Sequence, residues 1–495
     1  MFVGRENDLR QLESLWAKPV ASLVTCRGRR RIGKSTLIEE FARRSKAVFL
    51  KLEGIAPEPR MTNVLQLKAF REQLSRECGR SVPMLKSWGE AFAELDRCIG
   101  SSKTVLLLDE ISWMGRYDVG FPGELKIAWD NLFKKHDRLI VFFCGSVSTW
   151  ISRNILNNTG FVGRASLNLV VRELPLEDCV RFWGRKASRV ATSEILDVLS
   201  VTGGVPRYLE EVNPSFSANE NVRRLCFVSN ALLRDDFNQT FNVVFGEEAV
   251  TKRRILMCLS DASRTLSEIC EALGVERNGG ITVHLEDLEV AGFVTCERSV
   301  NPQTGRSAKI CRYRICDNYT RFFLRYIEPN GAMIDVDSFL FNSLEALPGW
   351  SAILGLQFEN LVINNLALLL PLLGLGRVLL KSAAPYRQAA TSRRKGCQID
   401  LLLQSDRLFY VVEIKRRREI GIEIEDEVAE KVAALHVPQN YTVRTALVYD
   451  GHLSPQVAAR GYFDALVPAS MLLGREKLLS DVCTGRGQTP VVGFK

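Results

Sequence analysis

The first residues that point to chemistry form a short glycine loop near the N-terminus. Gly28, Gly33, Lys34 and Ser35 fit the pattern G-x-x-x-x-G-K-[ST], between a predicted strand and a predicted amphipathic helix. In such a loop, backbone N–H groups surround a phosphate chain, the lysine reaches the β- and γ-phosphates, and the serine hydroxyl meets Mg²⁺. The residues expected to bind a nucleoside triphosphate are Gly28, Arg29, Arg30, Arg31, Ile32, Gly33, Lys34, Ser35 and Thr36.

Polar residues follow two further apolar runs of the kind that form buried strands. The run "TVLLLDEISWM" ends in Asp109 and Glu110. We expect Asp109 to hold Mg²⁺ and Glu110 to polarise an attacking water. The run "LIVFFCGSVSTW" ends at Ser146, which either contacts the γ-phosphate or the water, or simply ends the strand.

A second group of carboxylates lies in the C-terminal third. In "YVVEIKRRRE", Glu413 and Lys415 fall on the same face of a predicted strand, and Asp400 begins the strand before it. Glu359 lies in an apolar helix further upstream. Two carboxylates can hold a hard divalent cation, which polarises a phosphate and activates water, while a lysine stabilises charge. The alternative is a strand end whose polar residues meet water.

The order of these residues resembles that of the PD-(D/E)xK nucleases. The resemblance implies that Asp400, Glu413 and Glu359 are ligands of Mg²⁺ or Mn²⁺ and that Lys415 assists the reaction. It supports a restriction-endonuclease-like fold more than cleavage, because this fold also serves for DNA binding or packing. Whether the domain cuts DNA stays open at this stage.

Between the two candidate sites, the chain has the pattern of a winged helix-turn-helix. Three predicted helices from about residue 249 to residue 290 precede two predicted strands joined by a polar turn. Basic residues of the hairpin suit phosphate contact: Arg298, Arg306, Lys309, Arg312 and Arg314. The third helix is acidic in its second half, at Glu286, Asp287 and Glu289, although Arg277, Asn278 and Thr282 near its start could still touch DNA. DNA contact and intramolecular packing are therefore equally open for this domain.

The first half of the chain resembles the archaeal-type AAA+ ATPases, which are related to the STAND ATPases. The segments that carry the resemblance are "FVGRENDLRQLESLW", "CRGRRRIGKSTLIEEF", "LLLDEISWM", "FFCGSVSTW" and "TGGVPRYLEEV". It implies that ATP is bound, that the backbone around Val3 and Arg5 lies against the adenine, and that Arg164 reaches a phosphate in its own or a neighbouring subunit. Arg207 is implied as a nucleotide sensor in a helical lid.

Composition and charge fit this interpretation. The 495 residues carry 66 Lys and Arg against 57 Asp and Glu, and the basic residues cluster at 29–31, 393–395 and 416–418. Such clusters favour a polyanionic partner, although a solvated face is the commoner cause. The 13 cysteines lack zinc or CxxC spacing and indicate reduced thiols in a cytoplasmic protein. The sequence predicts neither a signal peptide nor a membrane span.

Together these features predict an α/β protein with four domains: an ATPase core (1–170), a helical lid (171–245), a winged helix (246–330) and a nuclease-like domain (340–495). The leading hypothesis is an ATP-hydrolysing protein acting on DNA, whose nucleotide state controls the nuclease-like domain. The competing hypothesis is a STAND-like switch that binds a protein partner or DNA without cleaving it. Self-association is expected as an option in both.

Overall fold

The computed structural model describes residues 2–58, 60–277, 279–302, 306, 308, 311–390, 395–435 and 437–475, which divide into two compact units. The first unit holds the chain up to Leu174 together with Asn238–Ala249 and Glu286–Gly292. The second holds Pro175–Phe237, Val250–Leu285 and the described residues from Phe293 onward. The four domain boundaries predicted from the sequence remain predictions.

The first unit is built on a five-stranded parallel sheet in the order β2-β3-β4-β1-β5. Its strands are near-continuous apolar runs, as expected where helices cover both faces of a parallel sheet. The strands are β1 Ser22–Arg27, β2 Val48–Glu53, β3 Thr104–Asp109, β4 Leu139–Gly145 and β5 Ala165–Val170. The helices are α1 Glu6–Glu13, α2 Lys34–Ser45, α3 Asn63–Cys78, α4 Trp88–Asp96, α5 Ile111–Met114, α6 Phe121–Asn131 and α7 Ser148–Ile151.

Aromatic side chains hold the helices α3, α4 and α6 together beside this sheet. The Trp88 ring is fully buried and meets the rings of Phe70 and Phe121 edge-on, at centroid distances of 5.4 and 4.8 Å. Edge-to-face pairs of this kind contribute about 0.5–1.5 kcal/mol each beyond their burial. The sheet that positions the glycine loop therefore rests on a rigid aromatic core.

One cysteine pair departs from the expectation of reduced thiols. Cys78 and Cys98 form a disulfide, with their Cα atoms 5.7 Å apart. The sequence prediction is wrong for this pair because α3 and α4 bring the two backbones within bridging distance, which spacing along the chain does not reveal.

Short helices and a winged helix follow in the chain. The helices are α8 Leu176–Cys179, α9 Thr192–Thr202, α10 Pro206–Leu209, α11 Ala218–Cys226, α12 Leu232–Phe245, α13 Ala249–Cys258, α14 Leu266–Leu273, α15 Gly279–Val290, α16 Asn318–Phe322 and α17 Gly331–Asp335. The strands are β6 Arg264–Thr265, β7 Val294–Glu297 and β8 Arg312–Ile315, in the antiparallel order β6-β8-β7. Helices α13 to α15 followed by the β7–β8 hairpin confirm the predicted winged helix.

The C-terminal part of the second unit has a mixed five-stranded sheet in the order β13-β12-β11-β10-β9. Strands β9, β10 and β11 are antiparallel neighbours, whereas β11, β12 and β13 run parallel. The strands are β9 Ser382–Gln388, β10 Cys397–Gln404, β11 Leu408–Ile420, β12 Thr442–Leu453 and β13 Ala465–Pro468. The helices are α18 Trp350–Ile363, α19 Leu366–Leu372, α20 Glu423–Ala434, α21 Pro455–Arg460 and α22 Ala469–Leu472.

Within the described ranges, no single helix has the length and apolar character needed to cross a membrane. Helices α18 and α19 meet those criteria only when taken together, and the chain bends by 77° between them.

Candidate functional site

The glycine loop connects β1 to α2 in a conformation that only glycine adopts easily. Gly28 has φ 151°, and a Cβ at this position would lie 2.3 Å from the carbonyl oxygen of Val171. Gly33 has φ 87° at the start of α2. Both positions therefore exclude a side chain, which leaves backbone N–H groups exposed to a phosphate chain at a helix N-terminus.

Lys34 is the first residue of α2, and its ammonium group lies inside the loop. Its Nζ donates to the carbonyl oxygens of Gly28 and Arg29, both at 3.0 Å. The side chain is buried, so its charge is concentrated where the phosphates of a nucleotide would lie.

Ser35 and Asp109 meet at the carboxyl edge of the sheet. The Ser35 Oγ donates to Asp109 Oδ2 at 2.6 Å, and Lys51 Nζ lies 3.8 Å from the same carboxylate oxygen. A hydroxyl and a carboxylate are hard oxygen donors of the kind that bind Mg²⁺. The donor set fits the Mg²⁺ that a triphosphate site requires.

Glu110 follows Asp109 and is held by Ser146. Its Oε2 accepts hydrogen bonds from the Ser146 backbone N–H at 3.0 Å and from the Ser146 Oγ at 2.9 Å. Strand β4, which ends just before Ser146, lies between β1 and β3, so all three polar strand ends share one edge. Glu110 has φ 45°, in the left-handed region that non-glycine residues rarely adopt and that clusters at functional sites.

The other residues predicted to contact nucleotide differ in exposure. Arg5 is buried and donates to the carbonyl oxygen of Ile32 at 2.9 Å, so it braces the loop. Val3 is also buried, while Thr36 is exposed. Arg29 is buried as well, which excludes a solvated role for it, whereas the neighbouring arginines, residues 30 and 31, are half-buried.

Both arginines predicted to sense a phosphate are paired with carboxylates. Arg164 makes a two-pronged contact with Asp130, with Nε–Oδ1 at 2.8 Å and Nη2–Oδ2 at 3.0 Å, and this hydrogen bonding lowers the pKa of Asp130 to about 2. Arg207 lies on α10 in the second unit. Its guanidinium is 2.6 Å from Glu211 and 3.6 Å from Glu210, which follow this helix. Each would have to leave these partners to reach a nucleotide.

The second candidate centre lies on the β10–β11 hairpin. The pairing Leu401↔Val412 continues so that Asp400 and Glu413 are neighbours on adjacent strands. Asp400 is the fourth residue of β10 instead of its first, and its Oδ2 accepts a hydrogen bond from the Ile414 backbone N–H at 2.9 Å. Burial and the negative charge of Glu413 raise the pKa of Asp400 to about 6.

Glu359 reaches the same centre from α18. Burial raises its pKa to about 7, and the negative charge of Asp400 adds to this, while the cations Arg314 and Arg321 act in the opposite direction. The negative charge of Glu413 also raises the pKa of Glu359, whose side chain is half-buried. The structure thus places Asp400 and Glu413 side by side, with Glu359 near them on α18.

Two lysines neutralise Glu413, which is fully buried. Lys415 Nζ lies 2.7 Å from Glu413 Oε1 and 3.3 Å from Glu427. Lys431 on α20 lies 2.7 and 2.6 Å from the two oxygens of Glu413. Burial lowers the pKa of Lys415, but the attraction of Glu413 outweighs it, so the net pKa is raised.

Lys431 was missed in the sequence, although a signal for it exists. Ile424 and Val428 are buried on one face of α20, and Lys431 follows them at helical spacing. A lysine on an otherwise apolar face requires a buried acidic partner.

The donor set at this centre fits a hard divalent cation. In the described ranges, no three Asp, Glu, His or Cys side chains converge closely enough to hold a metal unaided. Asp400 and Glu413 nevertheless supply the two carboxylates through which Mg²⁺ binds when water and a substrate phosphate complete its shell.

Arg416 is not available for the DNA contact predicted for the basic segment 416–418. Its guanidinium donates to Asp450 at 2.8 Å, to Asp197 at 2.6 Å and to Ser200 Oγ at 3.0 Å, and the side chain is 6% exposed. The prediction fails because Arg416 is paired with carboxylates on α9 and β12. Arg417, Arg418 and Lys395 are exposed, while Arg393 and Arg394 lie outside the described residues.

The basic residues of the winged helix are also partly engaged. Arg312 donates to the Ser263 carbonyl oxygen at 2.7 Å, and Arg314 is buried and donates to Glu297 at 2.6 Å. These two are therefore structural, which corrects their assignment as phosphate contacts. Exposed basic side chains remain at Arg277, Arg298 and Arg306.

The rest of the predicted DNA-contacting set is divided. Asp287 is buried and accepts from Arg153 at 2.6 Å, so part of the acidic half of α15 serves packing within the first unit. Thr282 is half-buried, and Asn278 and Lys309 lie outside the described residues.

Two stretches of the chain match models of known protein families. Residues 2–212 match the model of the ATPase domain predominantly from Archaea, and residues 250–295 match that of the bacterial regulatory proteins of the arsR family.

Two proteins of Methanocaldococcus jannaschii are similar in sequence. An uncharacterised protein is 23% identical over 363 residues, which are 73% of this chain and 76% of that protein. An uncharacterised ATP-binding protein is 44% identical over 46 residues, which are 9% of this chain and 78% of that protein.

Among solved structures, a Walker-type ATPase of Pyrococcus abyssi aligns with a TM-score of 0.45 and 18% identity, covering 66% of this chain and 96% of that one. Given the two family matches, the protein is an ATPase: residues 2–212 are similar to the ATPase domains found predominantly in Archaea, and residues 250–295, in the winged helix, are similar to the arsR family of bacterial regulatory proteins.

Proposed function

We propose that this ATPase acts on DNA and that its nucleotide state controls a metal-dependent phosphodiesterase centre in the C-terminal domain. The observation that carries the proposal is the convergence of Asp400, Glu413 and Lys415 on the β10–β11 hairpin. Two buried carboxylates side by side are costly unless cations compensate them. A hard divalent cation and a phosphodiester are the ligands that such a centre suits.

At the nucleotide site, each residue has a separate task. Lys34 and the loop N–H groups bind the phosphates, and Ser35 with Asp109 would hold Mg²⁺. Glu110 polarises the attacking water, and Ser146 orients the Glu110 carboxylate through two hydrogen bonds. Arg164 stabilises charge on the transferring phosphate after leaving Asp130.

At the C-terminal centre, Asp400 and Glu413 would hold Mg²⁺ or Mn²⁺, and Glu359 would lie near them on α18. The cation, when bound, polarises the scissile phosphate and lowers the pKa of an attacking water. Lys415 places a positive charge beside the reacting phosphate, and the Ile414 N–H fixes the Asp400 carboxylate. Exposed Arg417, Arg418 and Lys395 provide cationic surface on the same domain for a DNA backbone.

The second unit contains a connection through which the lid would act on this centre. Arg416 lies three residues after Glu413 on β11 and is held by Asp197 and Ser200 of α9. A displacement of α9 would therefore be transmitted to the strand that carries Glu413. The predicted lid residue Arg207 follows α9 directly in the chain.

A second candidate function is a STAND-like switch whose C-terminal domain binds DNA or a protein partner without cleaving. One observation favours it: Lys415 and Lys431 already neutralise Glu413, so the centre is electrostatically satisfied by the chain itself. ATP-dependent self-association would accompany this function.

A cleavage assay distinguishes the two functions. Full-length protein is mixed with plasmid and with linear single- and double-stranded DNA, Mg²⁺ or Mn²⁺, with and without ATP. We expect cleavage that Lys415→Ala abolishes and that Lys34→Ala makes insensitive to ATP. Lys381→Ala is the matched control, since Lys381 pairs with Asp406 on the surface of the same domain. Intact ATP hydrolysis without cleavage under any condition would refute the nuclease and support the switch.

A further inference from the structure

The position of Lys431 has a consequence beyond the neutralisation of Glu413. Its Nζ lies 2.7 and 2.6 Å from the two carboxylate oxygens, so one ammonium group faces both of them. Asp400 is the neighbour of Glu413 on the adjacent strand β10. A single positive charge thus covers the carboxylate through which Glu413 would join Asp400 in binding a metal ion.

We propose that Lys431 is an intramolecular substitute for the divalent cation: its ammonium group occupies both carboxylate oxygens of Glu413, beside Asp400, and must leave before the metal ion binds. This inference rests on the proposed function of the C-terminal centre. In this inference, Lys431 lowers the metal affinity of the centre and so raises the metal concentration that is needed to fill it.

Lys431 is better suited to this exchange than Lys415. Lys415 has a second carboxylate partner, Glu427, and lies on the same strand as Glu413, so it can stay beside a bound cation. Lys431 approaches from α20, and its ammonium group contacts the two carboxylate oxygens of Glu413. Its side chain is 21% exposed, so the flexible four-carbon stem has room to move the ammonium group off Glu413 when a metal ion binds there.

The displaced ammonium group would then be free to contact an anion at the same place. Glu413 is fully buried, so a cation that leaves it stays near the centre, where a substrate phosphate would bind. Binding of the metal ion would thus release the Lys431 ammonium group, which could then bind a phosphate. The lysine stays protonated throughout, so the charge that it contributes does not change.

Metal affinity tests this exchange without any measurement of activity. Mn²⁺ binding to the full-length protein is followed by electron paramagnetic resonance and calorimetry, in an Asp109→Asn background that removes the nucleotide-site carboxylate. We expect Lys431→Met to bind Mn²⁺ at least about tenfold more tightly than the Asp109→Asn parent, because a like charge within ~4–6 Å disfavours a cation by one to three orders of magnitude. Lys381→Met should leave the affinity unchanged.

Two further variants keep the outcome decisive if Lys431→Met is poorly folded. Lys431→Gln is neutral but keeps a hydrogen-bond donor, and it should also tighten Mn²⁺ binding. Lys431→Arg keeps the charge and should not. Equal Mn²⁺ affinity in the parent and in the neutral Lys431 variants would overturn the role of Lys431 while leaving the metal centre in place. The Asp400→Asn variant tests the metal centre itself. If this substitution leaves Mn²⁺ binding unchanged, the metal centre of the proposed function is refuted.

Discussion

Among single residues, the two carboxylates of the nucleotide site are already hydrogen-bonded to side chains of the protein itself. Ser35 holds Asp109, and Ser146 holds Glu110 with two hydrogen bonds to one carboxylate oxygen. Donors and acceptors that are fixed in advance lower the reorganisation needed during reaction. The left-handed backbone of Glu110 further restricts where its carboxylate points.

Substitution of Glu110 separates binding from hydrolysis. Glu110→Gln keeps the hydrogen-bonding shape but loses the charge that polarises water, so kcat for ATP hydrolysis should fall about 10²–10⁴-fold. The affinity for ATP should be nearly unchanged, as measured with a fluorescent ATP analogue. Glu13→Gln, at an exposed end of α1, is the matched control. Retained hydrolysis in Glu110→Gln would assign the water-activating role to another residue.

Arg164 offers a second test at this scale. Arg164→Ala should lower kcat by about 10²-fold or more if its guanidinium stabilises the transition state after leaving Asp130. Lys126→Ala is the control, because Lys126 pairs with the same carboxylate at 3.0 Å. Mixing Arg164→Ala with Lys34→Ala protein should restore hydrolysis only if Arg164 acts on a neighbouring subunit. Equal rates in Arg164→Ala and the unmodified protein would leave Arg164 as a structural partner of Asp130.

At the scale of elements, α9 and β11 are joined by one buried arginine. Arg416 is 6% exposed and contacts Asp197 on α9 and Asp450 on β12. Both carboxylates are partly buried, and burial, opposed by Arg416, raises the pKa of Asp197 to about 6. The junction is therefore held by a group of charges whose balance depends on pH.

Removing this arginine should destabilise the second unit strongly. Arg416→Ala leaves two partly buried carboxylates without their cation, and the free energy of unfolding should fall by about 3–5 kcal/mol. Arg418→Ala, two positions along the same strand and exposed, should change it by no more than about 0.5 kcal/mol. Urea unfolding monitored by circular dichroism compares the two. Similar losses in both variants would contradict a specific role for the α9–β11 contact.

The same junction gives a prediction for pH. The folded-state pKa of Asp197, about 6, lies above its ordinary value of 3.8, so the folded state binds the proton more tightly than the unfolded state. Stability should therefore rise as pH falls from about 6 to 4, by roughly 2–3 kcal/mol from this group alone. Asp197→Asn should lose that component in melting curves taken between pH 4 and 7. Parallel pH profiles for both proteins would show that Asp197 has an ordinary pKa.

At the scale of the whole molecule, an ATPase domain and a winged helix occur in one chain with a C-terminal α/β domain. The formal charge of +9 is modest, and Arg416 and Arg314 are engaged in internal ion pairs. The DNA binding that we propose would therefore depend on the arginines that remain exposed, among them Arg298, Arg417 and Arg418.

The dependence of DNA affinity on salt concentration reports how many of these exposed cations contact phosphates. We expect the logarithm of DNA affinity to fall with the logarithm of salt concentration with a slope steeper than about −3, since each neutralised phosphate contributes ~0.9. The double variant Arg417→Ala, Arg418→Ala should reduce the slope by roughly 1–2, and Arg325→Ala, exposed elsewhere in the second unit, is the control. Fluorescence anisotropy with a labelled duplex gives these slopes. A flat dependence would favour the switch that recognises a protein partner.

Features that depend on residues close together in the chain could be predicted from the sequence alone. The glycine loop, the strand ending in Asp109 and the three helices of the winged helix were predictable because each is specified by local pattern. The meeting of Asp400 with Glu413 was predictable because a short hairpin must bring them together.

Ion pairs between residues far apart in the sequence could be identified only in the tertiary structure. Lys431 with Glu413, Arg416 with Asp197 and Arg164 with Asp130 are separated by 18, 219 and 34 positions. Such pairs follow from how helices pack on a sheet, and residue types in a sequence do not encode that packing locally. The physical reason is that a buried charge takes the partner that folding brings within about 3 Å, wherever it lies in the chain.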